Sequence, residues 1–204
     1  MKRTSWRSAC ALLGSLLIGG CASQVPRPVA IPPADLWTTH REAMLARPAF
    51  LLEGRAAVQK GAEGGGGLKV RWREASGETE LRLIAPLAQG TYLLLQRGAE
   101  VSLTSADGTR HQAASLEELM RTHLRWTFPV AGARYWVRGV PDPARQVDNL
   151  HLDDAGRLRD LTQSGWRISV LEYQTVGANS LPRRLFLVAG DLQLRLVIDR
   201  WEWQ

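Results

Sequence analysis

From Phe50 onward the chain alternates apolar and polar positions with a period of two, the signature of strands that bury one face. Leu52, Gly54, Ala56 and Val58 open the pattern. Leu68, Val70 and Trp72 resume it beyond Gly64-Gly65-Gly66-Gly67, a run predicted to be a loop. Leu81 and Leu83 form the next strand, Tyr92-Leu93-Leu94-Leu95 a denser one, and Val101 with Leu103 another, followed by the hairpin signal Asp107-Gly108. Further on, Leu150 to Leu152, Leu158 to Leu161, Trp166/Ile168/Val170, Leu185/Leu187 and the series Leu192, Leu194, Leu196, Ile198 are strand-like. Asp154-Ala155-Gly156 and Ala178-Asn179 are the turns among them.

Three segments depart from this period. Leu36, Trp37, His40, Met44 and Leu45 recur at helical spacing, which predicts one apolar stripe on a short helix. Ser115 and Glu118 stand at capping-box spacing, with Leu116, Leu119, Met120 and His123 following on one face. Ala131 to Gly139 reads as a third short helix closed by glycine. Ten or eleven antiparallel strands with three short helices make a mainly β chain, folded as a strongly curved sheet or incomplete barrel. The helices would then be lids over the concave side. A sheet of this size has more inward apolar positions than such lids fill, which suits an apolar cavity; periodicity alone does not separate that cavity from a solid core.

The N-terminus obeys different rules. Lys2, Arg3 and Arg7 precede a largely apolar run from Ala9 to Ile18, then Gly19-Gly20-Cys21. The run is too short to cross a bilayer of about 30 Å and reads as an export signal. A cysteine directly after the small residues makes it a lipoprotein signal, with the Cys21 thiol acylated and residues 1–20 removed; the alternative is an ordinary signal peptide with a chance cysteine. Residues 21–33 hold Pro26, Pro28, Pro32 and Pro33 and form a stiff tether, leaving 34–204 as a single domain.

Composition narrows the function. The formal charge of the 204 residues is +6, but Lys2, Arg3 and Arg7 leave with the signal, and the remaining surplus is scattered arginine without a basic block. Nucleic acid is therefore not an expected partner. Cys10 is lost and Cys21 carries lipid, so the domain has no disulfide and depends on its core. His40, His111, His123 and His151 lack metal-ligand spacing, and His40 and His123 are expected to be satisfied structural residues. Asp153-Asp154 reads as a solvated turn, Ser115, Ser164 and Ser169 lack a nucleophile elbow, and the glycine run is not followed by Lys-Ser/Thr as a phosphate loop would be. No enzyme activity and no cofactor or metal are expected.

Short matching pieces then recur in order along the mature chain: Leu51-Leu52-Glu53-Gly54-Arg55-Ala56, Ala85-Pro86-Leu87 with Gly90, Tyr135-Trp136-Val137-Arg138-Gly139-Val140-Pro141, Gln163-Ser164-Gly165-Trp166 with Tyr173, Leu181-Pro182-Arg183-Arg184 and Ile198-Asp199-Arg200-Trp201. With the lipoprotein signal, they make a chain that resembles the LolB family of outer-membrane lipoprotein receptors. The resemblance implies an eleven-stranded unclosed barrel with helical lids over an apolar cavity. It also implies transfer of acylated lipoprotein cargo from the periplasmic carrier LolA, insertion into outer-membrane phospholipid on the inner leaflet, and a monomer. A protruding loop of Pro86, Leu87 and Ala88 would act at the membrane, Leu87 matching the family's exposed leucine, while Ala88 departs from the family's glycine and would stiffen the loop. A leucine there otherwise reads as a loop residue folded back on the core.

Cys21 is thus the expected lipid anchor, and Ala22 after it carries no acidic retention signal. The acyl-binding cavity is expected from the inward positions Leu52, Leu68, Val70, Trp72, Leu81, Leu83, Leu93, Leu95, Trp136, Trp166 and Ile168, all of which equally suit an ordinary core. Arg138 and Trp201 read as structural, the former in a buried ion pair or at a seam; Arg55, Arg134 and Arg183 are candidates for carrier docking. The competing function is a structural or assembly-factor lipoprotein that binds protein, and a third reading is a small lipid hydrolase.

Overall fold

The computed structural model describes residues 33–63, 65–86 and 90–204. Helix α1 (Pro33–Leu45) leads into strand β1 (Phe50–Lys60), and a single 3-10 turn (Gly61–Glu63) precedes β2 (Gly65–Ala75). Then come β3 (Glu78–Ile84), β4 (Thr91–Arg97), β5 (Glu100–Thr104), β6 (Arg110–Gln112), α2 (Leu116–Leu124) and α3 (Val130–Trp136). Strands β7 (Val147–Leu152), β8 (Leu158–Gln163), β9 (Trp166–Val176), β10 (Asn179–Ala189) and β11 (Leu192–Trp203) complete the chain. All eleven form one antiparallel sheet in the order β6-β5-β4-β3-β2-β1-β11-β10-β9-β8-β7. The first and last long strands pair along their length, from Phe50 opposite Trp203 to Lys60 opposite Leu192, while β6 and β7 stay at the two ends. The barrel is therefore unclosed, as expected from the alternation.

One face of this sheet is buried under the helices. Leu52, Val70, Trp72, Leu81, Leu83 and Leu94 share a core with Met44 of α1, Leu116, Leu119 and Met120 of α2, and Val130, Ala133 and Trp136 of α3. The Ser115 cap of α2 forms, with the Glu118 N–H donating to Ser115 Oγ at 3.2 Å, and the return bond is made one residue before the cap, the Ala114 N–H donating to the Glu118 carboxylate at 3.2 Å. Two sequence expectations need correction. Gly65, Gly66 and Gly67 are not loop but the first residues of β2, because the ladder to β1 continues through Gln59 opposite Gly65. The run 92–95, which has no alternation to set its parity, places Leu94 inward opposite Leu81 and turns Leu93 and Leu95 to the other face, opposite Arg82 and Glu80.

Candidate functional site: an apolar cavity under an aromatic strap

Along β1 and β2, buried positions run from Phe50 and Glu74 at one end to Val58 and Val70 toward the other. The first end is tightly filled. Edge-on rings link Trp201 to Phe50 (5.3 Å), Phe50 to Trp72 (5.7 Å), Trp72 to Phe128 (6.5 Å) and Phe128 to Trp166 (5.7 Å). Trp136 leans on Trp166 and donates its indole N–H to Gln163 at 2.8 Å. Gln163, fully buried, also accepts from the Asp142 N–H and donates to the carbonyls of Asp142 and Arg145, so the chain leaving α3 is fastened to β8.

Polar groups hold this end together. The buried Glu74 carboxylate accepts from Trp72 Nε1 (3.0 Å), Thr79 Oγ1 (2.9 Å) and Arg134 of α3 (3.0 Å). Burial pushes its pKa above the ordinary carboxylate value, and the Arg134 guanidinium opposes that rise. Arg138 is also buried, yet its hydrogen bonds go to the carbonyls of Arg134 (2.9 Å), Arg47 (3.0 Å) and Met44 rather than to a carboxylate. Of the two expected roles, a buried ion pair or a seam residue, the described residues show the second: Arg138 clamps the end of α1 to α3. Burial lowers the Arg138 pKa from its ordinary value. Arg134, turned inward to Glu74, is not a free docking cation, while Arg55 pairs with Asp199 at 3.1 Å and Arg183 with Glu172 at 2.6 Å.

The other end is hollow. Ala56, Leu68, Val70, Trp72, Leu81, Leu83, Trp126, Phe128, Leu187, Leu194 and Leu196 line a partly open cavity of about 50 Å³ with no polar side chain on its wall. That is room for a few small groups and not for a long acyl chain. Residues 124–128 form a strap across it. This strap leaves α2 through Arg125, whose backbone is left-handed (φ 62°), a conformation costing a side-chain-bearing residue about 1 kcal/mol. Lys60, at the end of β1, donates to the Arg125 carbonyl at 3.0 Å. Recesses of about 190 Å³ and 220 Å³ lie beside the strap, both lined by Leu68, Leu124, Arg125 and Trp126.

Of the expected cavity residues, Leu68, Val70, Trp72, Leu81 and Leu83 line this space. Leu52, Trp136, Trp166 and Ile168 are buried in the filled core, and Leu93 and Leu95 face away. Trp126 and Phe128 went unrecognised because they follow a helix in irregular chain with no period to read. Leu187, Leu194 and Leu196 are legible as strand residues, but only the pairing of β11 with β1, and of β10 with β11, carries them to the cavity.

The loop expected at the membrane begins at exposed Pro86; Leu87 and Ala88 lie outside the described residues, as does Cys21. Its base is closed by the Ala85 N–H donating to the Gly90 carbonyl at 3.0 Å. Gly90 has φ 100°, and a Cβ there would lie 2.0 Å from that of Ala106, so only glycine fits against the β5–β6 turn. Asp107 shapes that turn by accepting from Ser105 Oγ (2.6 Å) and the Thr109 N–H (3.0 Å), bonds that hold its pKa down to about 2.

The histidines are ordinary apart from one. His123 stacks on His111 with ring centres 3.9 Å apart. His40 is not satisfied as expected: its Nε2 is buried without a hydrogen-bond partner among the described residues. Burial, then the nearby Arg157 charge, lowers its pKa. Among the described residues no cluster of His, Cys, Asp or Glu could hold a metal ion, and no helix is long and apolar enough to cross a membrane.

An unclosed antiparallel sheet wrapped over helices defines a known fold class. It is shared with a LolA superfamily protein from Nitrosomonas europaea, at TM-score 0.52 and 7% identity over 86% of this chain and 94% of that one. A putative outer membrane lipoprotein-sorting protein domain from Vibrio parahaemolyticus aligns at TM-score 0.51 and 11% identity over 84% and 92%. Within that class the chain belongs to the LolB family, whose profile, "Outer membrane lipoprotein LolB", matches residues 48–201. Relatives named outer-membrane lipoprotein LolB include one from Nitrosococcus oceani, 35% identical over 197 residues (96% of this chain, 97% of the relative). Another, from Thiobacillus denitrificans, is 34% identical and covers 94% of this chain and 96% of its own length.

Proposed function

We propose that this chain is an outer-membrane receptor that takes lipoprotein acyl chains from the LolA carrier into the cavity beneath residues 124–128 and passes them to the inner leaflet. The observation that carries the reading is the wholly apolar cavity wall under a strap that, among the described residues, only two hydrogen bonds tie down, from Lys60 to the Arg125 carbonyl and from Thr127 to the Glu117 carbonyl. Each acyl methylene exposed to water costs about 0.8 kcal/mol, so an unshielded chain cannot cross at a useful rate, and a dry wall without fixed polar contacts allows release as well as uptake. Because the cavity is small, uptake requires the strap to swing away and join it to its two recesses. Cys21 anchors the protein by lipid, residues 21–33 tether the domain formed by 34–204, and Leu87 enters the bilayer during delivery. No catalytic step or cofactor is involved.

Transfer of a labelled lipoprotein from purified LolA to the Cys21→Ala chain, and then to liposomes, tests the proposal. Uptake is expected in the first step; its failure with folded protein would overturn the receptor reading. In the same assay Leu87→Glu should leave uptake and melting unchanged and slow delivery. The lost burial of one leucine is worth about 2 kcal/mol, roughly thirtyfold. Unchanged delivery would remove Leu87 from the mechanism, and a collapse in melting temperature would place it in the core.

A further inference from the structure

The two neighbours of β2 cover it unequally. On the β1 side, pairing runs from Phe50 opposite Glu74 to Gln59 opposite Gly65. On the β3 side it stops at Lys69 opposite Ile84, where the chain leaves for the Ala85–Gly90 loop. Gly65, Gly66, Gly67 and Leu68 therefore have a strand on one flank and none on the other among the described residues. In an antiparallel ladder, backbone groups point alternately to the two flanks, so half of those in this stretch face an open edge. Open edges of this kind accept a further extended chain.

Side chains leave the edge clear. A Cβ on Gly65 would strike the Val58 carbonyl at 2.4 Å, so the close approach of β1 demands glycine there. At Gly66 and Gly67 a Cβ would meet nothing within 4 Å. Those two glycines weaken the strand with no steric reason inside the described fold. Position supplies a reason. Gly65, Gly66 and Leu68 line the recess beside Trp126, while Gly67 and Leu68 line a crevice of about 340 Å³ that runs to Ile84 and Pro86. The edge thus leads from the cavity mouth toward the β3–β4 loop.

We infer that Gly65–Leu68 receives, as an added strand, the extended peptide that follows the acylated residue of a bound lipoprotein. This rests on the acyl-cavity reading above, since a chain seated beneath the strap brings its attached peptide to the same recess. Main-chain pairing reads no side chains, so it admits peptides of differing sequence and excludes proline at the paired positions.

The test uses the Cys21→Ala chain with three probes: palmitic acid, a palmitoylated cysteinyl peptide with four polar non-proline residues, and the same lipopeptide with two prolines. Displacement of a fluorescent fatty acid reports the cavity, and amide hydrogen exchange reports residues 65–69. All three probes are expected to displace the fatty acid. Only the first lipopeptide should slow exchange at the edge, and it should bind about tenfold tighter than the proline form, the factor expected from one to two net backbone hydrogen bonds. Equal displacement by both lipopeptides with unaltered exchange would overturn the edge proposal and leave the cavity reading standing. No displacement by any probe would overturn both.

Discussion

Where α1 and α3 cover the sheet, buried polar groups bind the layers together: Arg138 clamps the end of α1, Glu74 joins Trp72 to Arg134, and Gln163 uses all its hydrogen-bonding capacity. Where residues 124–128 cover it, the contacts with the cavity wall are apolar, the backbone enters through a strained arginine, and among the described residues only two side chains, Lys60 and Thr127, tie the strap to its neighbours. Removing a buried polar partner leaves others unsatisfied, whereas sliding an aromatic ring off aliphatic side chains leaves nothing unsatisfied if an acyl chain takes its place. The contrast assigns rigidity to one end and adjustability to the other.

The largest effect should follow from breaking the clamp. Arg138→Met strands the carbonyls of Met44, Arg47 and Arg134, and is expected to cost about 2–4 kcal/mol in urea unfolding. A loss below 1 kcal/mol would mean that α1 is held by packing alone. Trp126→Ala, on the adjustable side, should cost less, about 1–2 kcal/mol, because this ring is only half-buried and a fully buried tryptophan gives about 3–5. It should also enlarge the cavity and speed uptake of a fluorescent fatty acid, while Arg138→Met should not. Faster uptake in both variants would erase the distinction between the two ends.

A smaller effect concerns His40 of α1. Its folded pKa lies below the ordinary 6.5, so the unfolded chain binds the proton more readily between the two values. The stability it contributes is complete above about pH 6.5 and is lost as the pH falls toward the folded pKa. Urea midpoints measured between pH 7.5 and about 5.5 should therefore fall further for the wild type than for His40→Gln. Parallel curves would show that the imidazole charges in place without penalty.

The filled and hollow ends also differ in how far they were legible from residues alone. Leu68, Val70 and Trp72, and then Leu81 and Leu83, alternate cleanly, and their shared face follows from the strand period. Tyr92-Leu93-Leu94-Leu95 offers four apolar residues in succession, so its parity is set only by pairing with β3. Gly65–Gly67 resembles a turn by composition and becomes strand because β1 continues beside it. The strap escaped notice for a different reason. Trp126 and Phe128 owe their place to the exit angle at Arg125 and to a bond from Lys60, sixty-five residues earlier, neither of which leaves a local pattern. The Arg138 clamp had a legible residue but not a legible partner, since a backbone carbonyl has no signature in sequence.

Photocrosslinking of acylated cargo tests the location of the acyl site most directly. A photoreactive residue replaces Leu68, Leu83, Leu93 or Leu95 in turn, and each variant is loaded from LolA with a lipoprotein whose acyl chains are labelled. Adducts on the acyl chain are expected at 68 and 83, which line the cavity, and not at 93 and 95, which lie on the opposite face of the sheet. Labelling at 93 and 95 with silence at 68 and 83, on cargo that has demonstrably transferred, would contradict an acyl site beneath the strap.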